Sequence, residues 1–158
     1  MQGVAGPGFG MHFLPRVGQE VVVAFENGNP DRPFVMGALD HPGHPPPYAG
    51  EPTHSGIRTR STRDATPEQA NELRFDDAKG SEEVFLQAEK DLTVNIKNDI
   101  NRREANNVTD TVGGAVKVSA DDRIELAVGG NSVVIDNGGV TINGVKLDVA
   151  TSQTDLNS

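Results

Sequence analysis

His41 and His44 stand in the spacing H-x-x-H, with His54 ten residues further along. Imidazoles at that spacing are able to share a metal ion. Zinc ligands, however, sit on a defined scaffold, and "HPGHPPPYAG" is proline-rich coil. The stretch therefore reads as linker rather than metal centre. Carboxylates are abundant, so an acid–base pair can always be picked out. Asp121, Asp122 and Glu125 fall at a corner and at an outward strand position, where a solvated surface is the default. Cysteine is absent, which excludes a thiol nucleophile, a disulfide framework and a thiolate metal site. There is no G-x-S-x-G, no H-E-x-x-H and no phosphate-binding loop, and "GPGFG" is merely a loop. No catalysis and no cofactor are expected.

The elements around these residues are β-type. The chain has 158 residues, 18 of them Gly and 10 Pro, enough for many turns and for one domain or one domain with an extension. Aromatics make up 4% and Trp is absent, so large anchors for a conventional core are scarce. The net charge of -9 opposes a nucleic-acid partner, which calls for a basic face. No apolar run is long enough to span a bilayer. The start "MQGVAGPGFGMHF" lacks the charged and apolar regions of a signal peptide.

"EVVVAF" (Glu20 to Phe25) and "PFVMGAL" (Pro33 to Leu39) read as strands joined by "ENGNPDRP", a loop of turn formers. Two strands are too few to stand alone. Residues 41–71 lack periodicity and hold most of the prolines, the composition of an extended linker.

From Val84 a step of eight runs through Val84, Leu92, Ile100, Val108, Val116 and Ile124, all aliphatic. A second row runs through Leu86, Val94, Arg102, Asp110, Val118 and Leu126. A third runs through Ala88, Ile96, Glu104, Val112, Ala120 and Val128. The first, third and fifth residues of each unit share one strand face. The remaining three are polar or glycine-rich corners: "EKD", "KND", "ANN", "GGA", "DDR". After Val128 the step shortens to seven, with rows Leu126, Val133, Val140, Leu147 and Val128, Ile135, Ile142, Val149, and the corners shrink to "GG", "DN" and "NG". A coiled coil does not fit, because the apolar residues alternate, most are β-branched, and each interrupting glycine costs a helix roughly 1 kcal/mol.

An eight-residue repeat is too short for one coil of a single-chain solenoid. Three chains wound together resolve this. Each crosses one face per unit, its neighbour supplies the next strand, and the backbone groups are satisfied between chains. The expected object is an intertwined trimeric β-prism with aliphatic rows inside and Lys, Asp, Glu and Asn outside. Nine units at about 4.8 Å each give a height on the order of 40 Å. Arg102, Glu104 and Asp110 occupy inward positions, so a widened or polar section is expected between about residues 98 and 112.

"GMHFLPRVGQEVVVAFENGNPDRPFVMGAL", "PPPYAG", "SGIRTRST" and "NELRFDDAKGSEEVFLQAEKDLTVNIKND" resemble the VgrG (valine-glycine repeat) spike proteins of type VI secretion, over about residues 6 to 128. Those proteins resemble the central spike of contractile-tail phages. In the family, "PRVGQEV" lies in an oligonucleotide/oligosaccharide-binding (OB) barrel and "NELRFDD" leads into the triple-stranded β-helix. The large N-terminal baseplate-like region and the first OB strands have no counterpart, which marks a C-terminal fragment.

The combined expectation is an all-β chain: an intertwined homotrimeric triple-stranded β-helix preceded by an OB-barrel remnant and an extended linker. Residues 1–45 would be the OB-like part, 46–71 the linker, 72–151 the needle and 152–158 a tail. Its trimer core would be Val84, Leu86, Leu92, Val94, Ile96, Ile100, Val108, Val112, Val116, Val118, Ile124, Leu126, Val128, Val133, Ile135, Val140 and Ile142. The resemblance implies a puncturing spike that leaves the producing cell's cytoplasm through the secretion system and enters a target cell. It implies a PAAR-repeat tip protein seated on the last rung (Val145, Lys146, Leu147, Asp148, Val149, Ala150), a tube protein on the N-terminal side of the full-length spike, and effector cargo. The rival readings are a phage-like tail spike or adhesin fibre and a carbohydrate-active β-helix enzyme. The fibre would need a terminal receptor-binding domain, and "ATSQTDLNS" offers none.

Overall fold

A computed structural model describes residues 3–62 and 64–149. These residues form ten strands and one 3-10 turn, with no α-helix among them. The strands are β1 (Ala5–Gly6), β2 (Phe9–Gly10), β3 (Val21–Phe25), β4 (Pro33–Ala38), β5 (His54–Arg58), β6 (Glu72–Asp76), β7 (Glu83–Gln87), β8 (Arg123–Val128), β9 (Asn131–Asp136) and β10 (Gly139–Asn143). The chain divides into two units, Met1–Asn98 and Asp99–Ser158.

In the first unit β1 pairs with β2, and β3 pairs antiparallel with β4 across a bulge at Val22/Val23. The loop between β3 and β4 is closed by Arg32, whose guanidinium pairs with Glu26 at 2.9 Å. β5, β6 and β7 form an antiparallel meander. The meander corrects the expected linker over 46–71, because the chain enters a sheet already at His54. Its weak alternation comes from Gly56, which sits at φ 155°. A Cβ there would lie 2.2 Å from the Leu73 carbonyl oxygen, so the sheet requires glycine at this close approach.

Residues 88–122 contain no strand: this stretch, which runs from one unit into the other along the sequence, makes no ladder with the other described residues of its chain. In the second unit β8, β9 and β10 again form an antiparallel meander, in the order β10-β9-β8. This differs from the expected prism, in which 123–143 would pair only with other chains. The reason is corner length. Two residues, Gly129 and Gly130, join β8 to β9, and Asn137 and Gly138 join β9 to β10. A two-residue connection reverses the chain, and glycine provides its left-handed backbone, with Gly129 at φ 57°.

Very little of the chain is covered by itself. Ala70 and Val134 are the buried apolar residues among those described, and no large side chain is fully buried. The accessible surface is 14417 Å², where a folded monomer of this mass exposes about 7,600 Å².

Candidate functional site

The β5–β7 sheet has two unlike faces. On one, Ile57, Leu73 and Leu86 stand in register, beside Phe75 and Val84. All five are exposed. On the other, Arg58, Glu72 and Gln87 align, followed by Arg74 with Phe85 and by His54, Asp76 and Glu83. The polar face is the covered one. Glu72 is 6% exposed, held by Arg58 Nε and Arg74 Nη1 at 3.4 Å each. Arg74 Nη2 reaches Glu83 at 2.8 Å. Gln87 donates to the Ala70 carbonyl, and Arg58 donates to the Pro67 carbonyl. The Tyr48 hydroxyl is buried with no hydrogen-bond partner of standard geometry. Burial first, and then the Glu72 carboxylate, raise its pKa.

This reverses the usual rule for a soluble domain, which hides apolar surface and wets its charges. The rows read from the sequence behave alike. Val84, Leu86, Leu92, Val94, Ile96, Ile100, Val108, Val112, Val116, Val118, Leu126, Val128, Val133, Ile135, Val140 and Ile142 are all exposed, and Ile124 is half-buried. Ile100 and Val116 each show 71% of their surface to solvent, close to the value of an unfolded residue. So much exposed apolar surface marks an interaction face. Of the three charges expected at inward positions, Arg102 and Glu104 meet as an ion pair, the arrangement that makes a charged core position tolerable, and Asp110 is exposed.

At the C-terminal end, Val145 is fully open at 99%, and Leu147 and Val149 are exposed. Lys146 Nζ pairs with Asp148 at 2.7 Å. The Val145 amide donates to the Asn131 side chain at 3.3 Å, which ties this segment to the start of β9. Ala150 and the tail 152–158 lie outside the described residues.

His41 and His44 do come together. Their backbones form a two-way bridge, and His41 Nε2 lies 2.7 Å from His44 Nδ1. The Gly43 amide donates to His41 Nδ1, so His41 carries its proton on Nε2. Glu20 is 3.3 Å from the same Nε2. His54 is not part of this cluster, since it pairs with Asp76 at 3.2 Å within the β5–β6 register. Among the described residues no group of three or more His, Cys, Asp or Glu is arranged to hold a metal ion. Asp121 and Asp122 are exposed at the bend before β8, and Glu125 pairs with Arg123 at 2.9 Å.

The sequence reading missed the Arg58–Glu72–Arg74 cluster. A signal was present: "ELRFD" alternates charge with Leu73 and Phe75, which sets all three charges on one strand face.

Comparison with known families matches residues 55–153 to the bacteriophage T4 gp5 C-terminal trimerisation domain. Residues 1–39 match the type VI secretion system/phage-baseplate injector OB domain. The chain is 39% identical over 110 residues, 70% of its length, to the type VI secretion system spike protein VgrG4b of Pseudomonas aeruginosa, and that stretch is 14% of the relative. It is 40% identical over 100 residues, 62% of its length, to VgrG1b of the same organism, again 14% of the relative. It is 41% identical over 98 residues, 62% of its length, to the actin cross-linking toxin VgrG1 of Vibrio cholerae serotype O1, 9% of that protein. The chain thus matches no more than about a sixth of the length of these curated relatives.

Proposed function

The chain belongs to the family of VgrG-type spike proteins of type VI secretion, with their gp5-like trimerisation domain, and from that membership we propose that it is the needle-bearing part of a homotrimeric puncturing spike. The observation that carries this reading is the reversed sheet: charges are covered by the chain's own loops, and aliphatic rows are left open for two other copies. Over residues 88–122 the backbone makes no ladder of its own, as an intertwined β-helix requires of each protomer. Three chains wound in this way would form a thin rigid prism suited to transmitting thrust along its axis.

In this reading the spike leaves the cell through the secretion apparatus and pierces a target envelope. A tube protein would sit on the N-terminal side of the full-length spike, and effectors would travel with it. The segment Val145–Val149, with its continuation at Ala150, would close the last rung. Its free strand edge would take a PAAR-repeat tip protein by β-addition. The work is mechanical, with no catalytic role for the chain.

Mass measured in native buffer and again in hot detergent tests the assembly. A trimeric mass that resists the detergent supports the reading, and a well-folded monomer at micromolar concentration ends it. The tip site is tested by Leu147→Asp with Val149→Asp. An intact trimer that no longer binds the tip protein supports docking here, and an intact trimer with unchanged binding removes it.

A further inference from the structure

The second unit contains a feature that a uniformly intertwined needle would not have. In an intertwined section each strand finds its neighbours on other chains. In β8–β10 the neighbours are on the same chain: Leu126 faces Val133, Ile124 faces Ile135, and Val133 and Ile135 in turn face Ile142 and Val140. Both edges of β9 are used up within the chain, so another copy cannot thread a strand between these three. Only the outer edges of β8 and β10 remain open.

The two faces of this sheet are unequal in the same sense as those of β5–β7. One presents Ile124 and Leu126 from β8, Val133 and Ile135 from β9, and Val140 and Ile142 from β10. Five of these six are exposed, Leu126 to 68% and Val140 to 66%. The opposite face is mostly polar and carries one buried apolar residue. There Val134 is 7% exposed between its register partners Glu125 and Thr141, and Arg123 pairs with Glu125. The turns hold the sheet without help from outside: Gly129 supplies the left-handed residue of the first, and the Gly138 amide donates to Asp136 at 2.8 Å in the second.

We infer that residues 123–143 form a non-intertwined section of the trimer, in which each chain's β8–β9–β10 sheet is one complete face of a three-sided prism. The occupants of its apolar side are the same sheets of the two other copies. This rests on the trimeric reading above and is continuous with it, because the trimerisation-domain match runs through the whole segment. The change of construction falls where three-residue corners give way to two-residue ones. Over residues 88–122 the chains wrap around one another. Beyond residue 122 they lie side by side, each folded on itself, and meet through side chains alone. The sheet is complete within one chain, so it can form before assembly and present a ready apolar face to its partners.

Ala127 and Ser132 offer the test. They face each other across β8 and β9 on the outward side, next to the pair Val128–Asn131 that closes the two-residue turn. The closing pair is hydrogen-bonded, so the next pair is not, and its Cα atoms lie about 4.5 Å apart, within disulfide reach. The chain has no cysteine, so the double variant Ala127→Cys, Ser132→Cys carries only this pair. The full-length variant is assembled, oxidised and run on a denaturing gel without reductant. The expected product has single-chain mass and no free thiol. Covalently linked dimers or trimers, or thiols that stay free, would overturn the inference. Native mass of the unaltered chain reads the trimer separately: a monomer there sinks the trimeric reading, whereas linked chains within an intact trimer sink only this one. Should the variant not assemble, trimers mixed from isotope-labelled and unlabelled native chains give the same answer. Nuclear Overhauser contacts between Leu126 and Val133 are expected within chains, and their appearance between labelled and unlabelled chains would overturn the inference.

Discussion

Arg74 and Phe85 face one another across β6 and β7, with the guanidinium carbon 4.7 Å from the ring centroid. The same guanidinium bonds Glu83 and lies against Glu72. One side chain thus stacks on an aromatic ring and links two carboxylates, which a planar fork can do and an ammonium cannot. Hydrogen bonding to Glu83 is the first cause of its raised pKa. The polar face is fastened around this residue.

Glu72 is the buried carboxylate of that face, and Arg58 and Arg74 lie on either side of it. Glu72→Gln preserves volume but leaves two cations without their shared anion. The arginines keep some solvent contact, so the loss is expected at about 2 kcal/mol per chain rather than the full figure for a dry ion pair. A lower thermal midpoint at fixed chain concentration, with trimer mass unchanged, is the expected result. An unchanged midpoint would show that the cluster contributes nothing to stability.

Tyr48 is the single tyrosine of the chain, so its phenolate absorbance can be followed alone. Its raised pKa means that the fold favours the protonated ring. The associated stability is present below the ordinary value near 10 and is lost as pH rises through the raised one. Tyr48→Phe removes the hydroxyl that lies against Glu72, so it should be slightly less stable than the parent near neutral pH. It should then outlast the parent in alkali. Superimposable alkaline unfolding curves for the two proteins would contradict this.

Asp76 titrates with the opposite sign. The Thr53 hydroxyl, the Ala78 amide and His54 hold its carboxyl below the usual range, in that order of effect. Its contribution is present above an unfolded value of about 4 and disappears as pH falls through the depressed one. Asp76→Asn is expected to flatten the acid limb of the stability curve while leaving the alkaline limb alone. An acid limb of unchanged steepness would count against it.

Val94 and Thr93 are adjacent but lie on opposite strand faces in the eight-residue register. Val94→Asp would bring three carboxylates into the proposed core, at a cost of several kcal/mol. Thr93→Asp would place them in water. Sedimentation at micromolar concentration should find the first variant monomeric or unfolded and the second trimeric. Equal behaviour of the two would break the assigned register.

Much of this was legible because a strand face repeats every second residue, and the rows from Val84 to Val128 repeat it with few exceptions. β3 and β4 were legible for the same reason. β5 was hidden, since "HSGIR" has one aliphatic residue, Ile57, and gains its place from a glycine that lets the Leu73 backbone come close. Glu72 was hidden because a carboxylate between two arginines looks solvated in a string of letters, and only the cover over it makes it buried. The reversal of the chain at Gly129–Gly130 and at Asn137–Gly138 was misread as further corners. The seven-residue step of a prism and the strand-plus-two-residue-turn step of a hairpin have almost the same length.

The absence of any ladder within residues 88–122 bears on heredity. A sheet closed within one chain tolerates loss of a strand poorly, because the strands on either side lose their partner. A stretch that pairs only with copies of itself, as proposed for residues 88–122, would have no such memory of its length. When one eight-residue unit is deleted from the gene, all three chains lose it together, and every remaining residue keeps its face. A deletion of seven or nine residues instead moves each aliphatic row to the outside. Reach is therefore a quantity that evolution, or an engineer, can change in whole units without redesigning anything at either end.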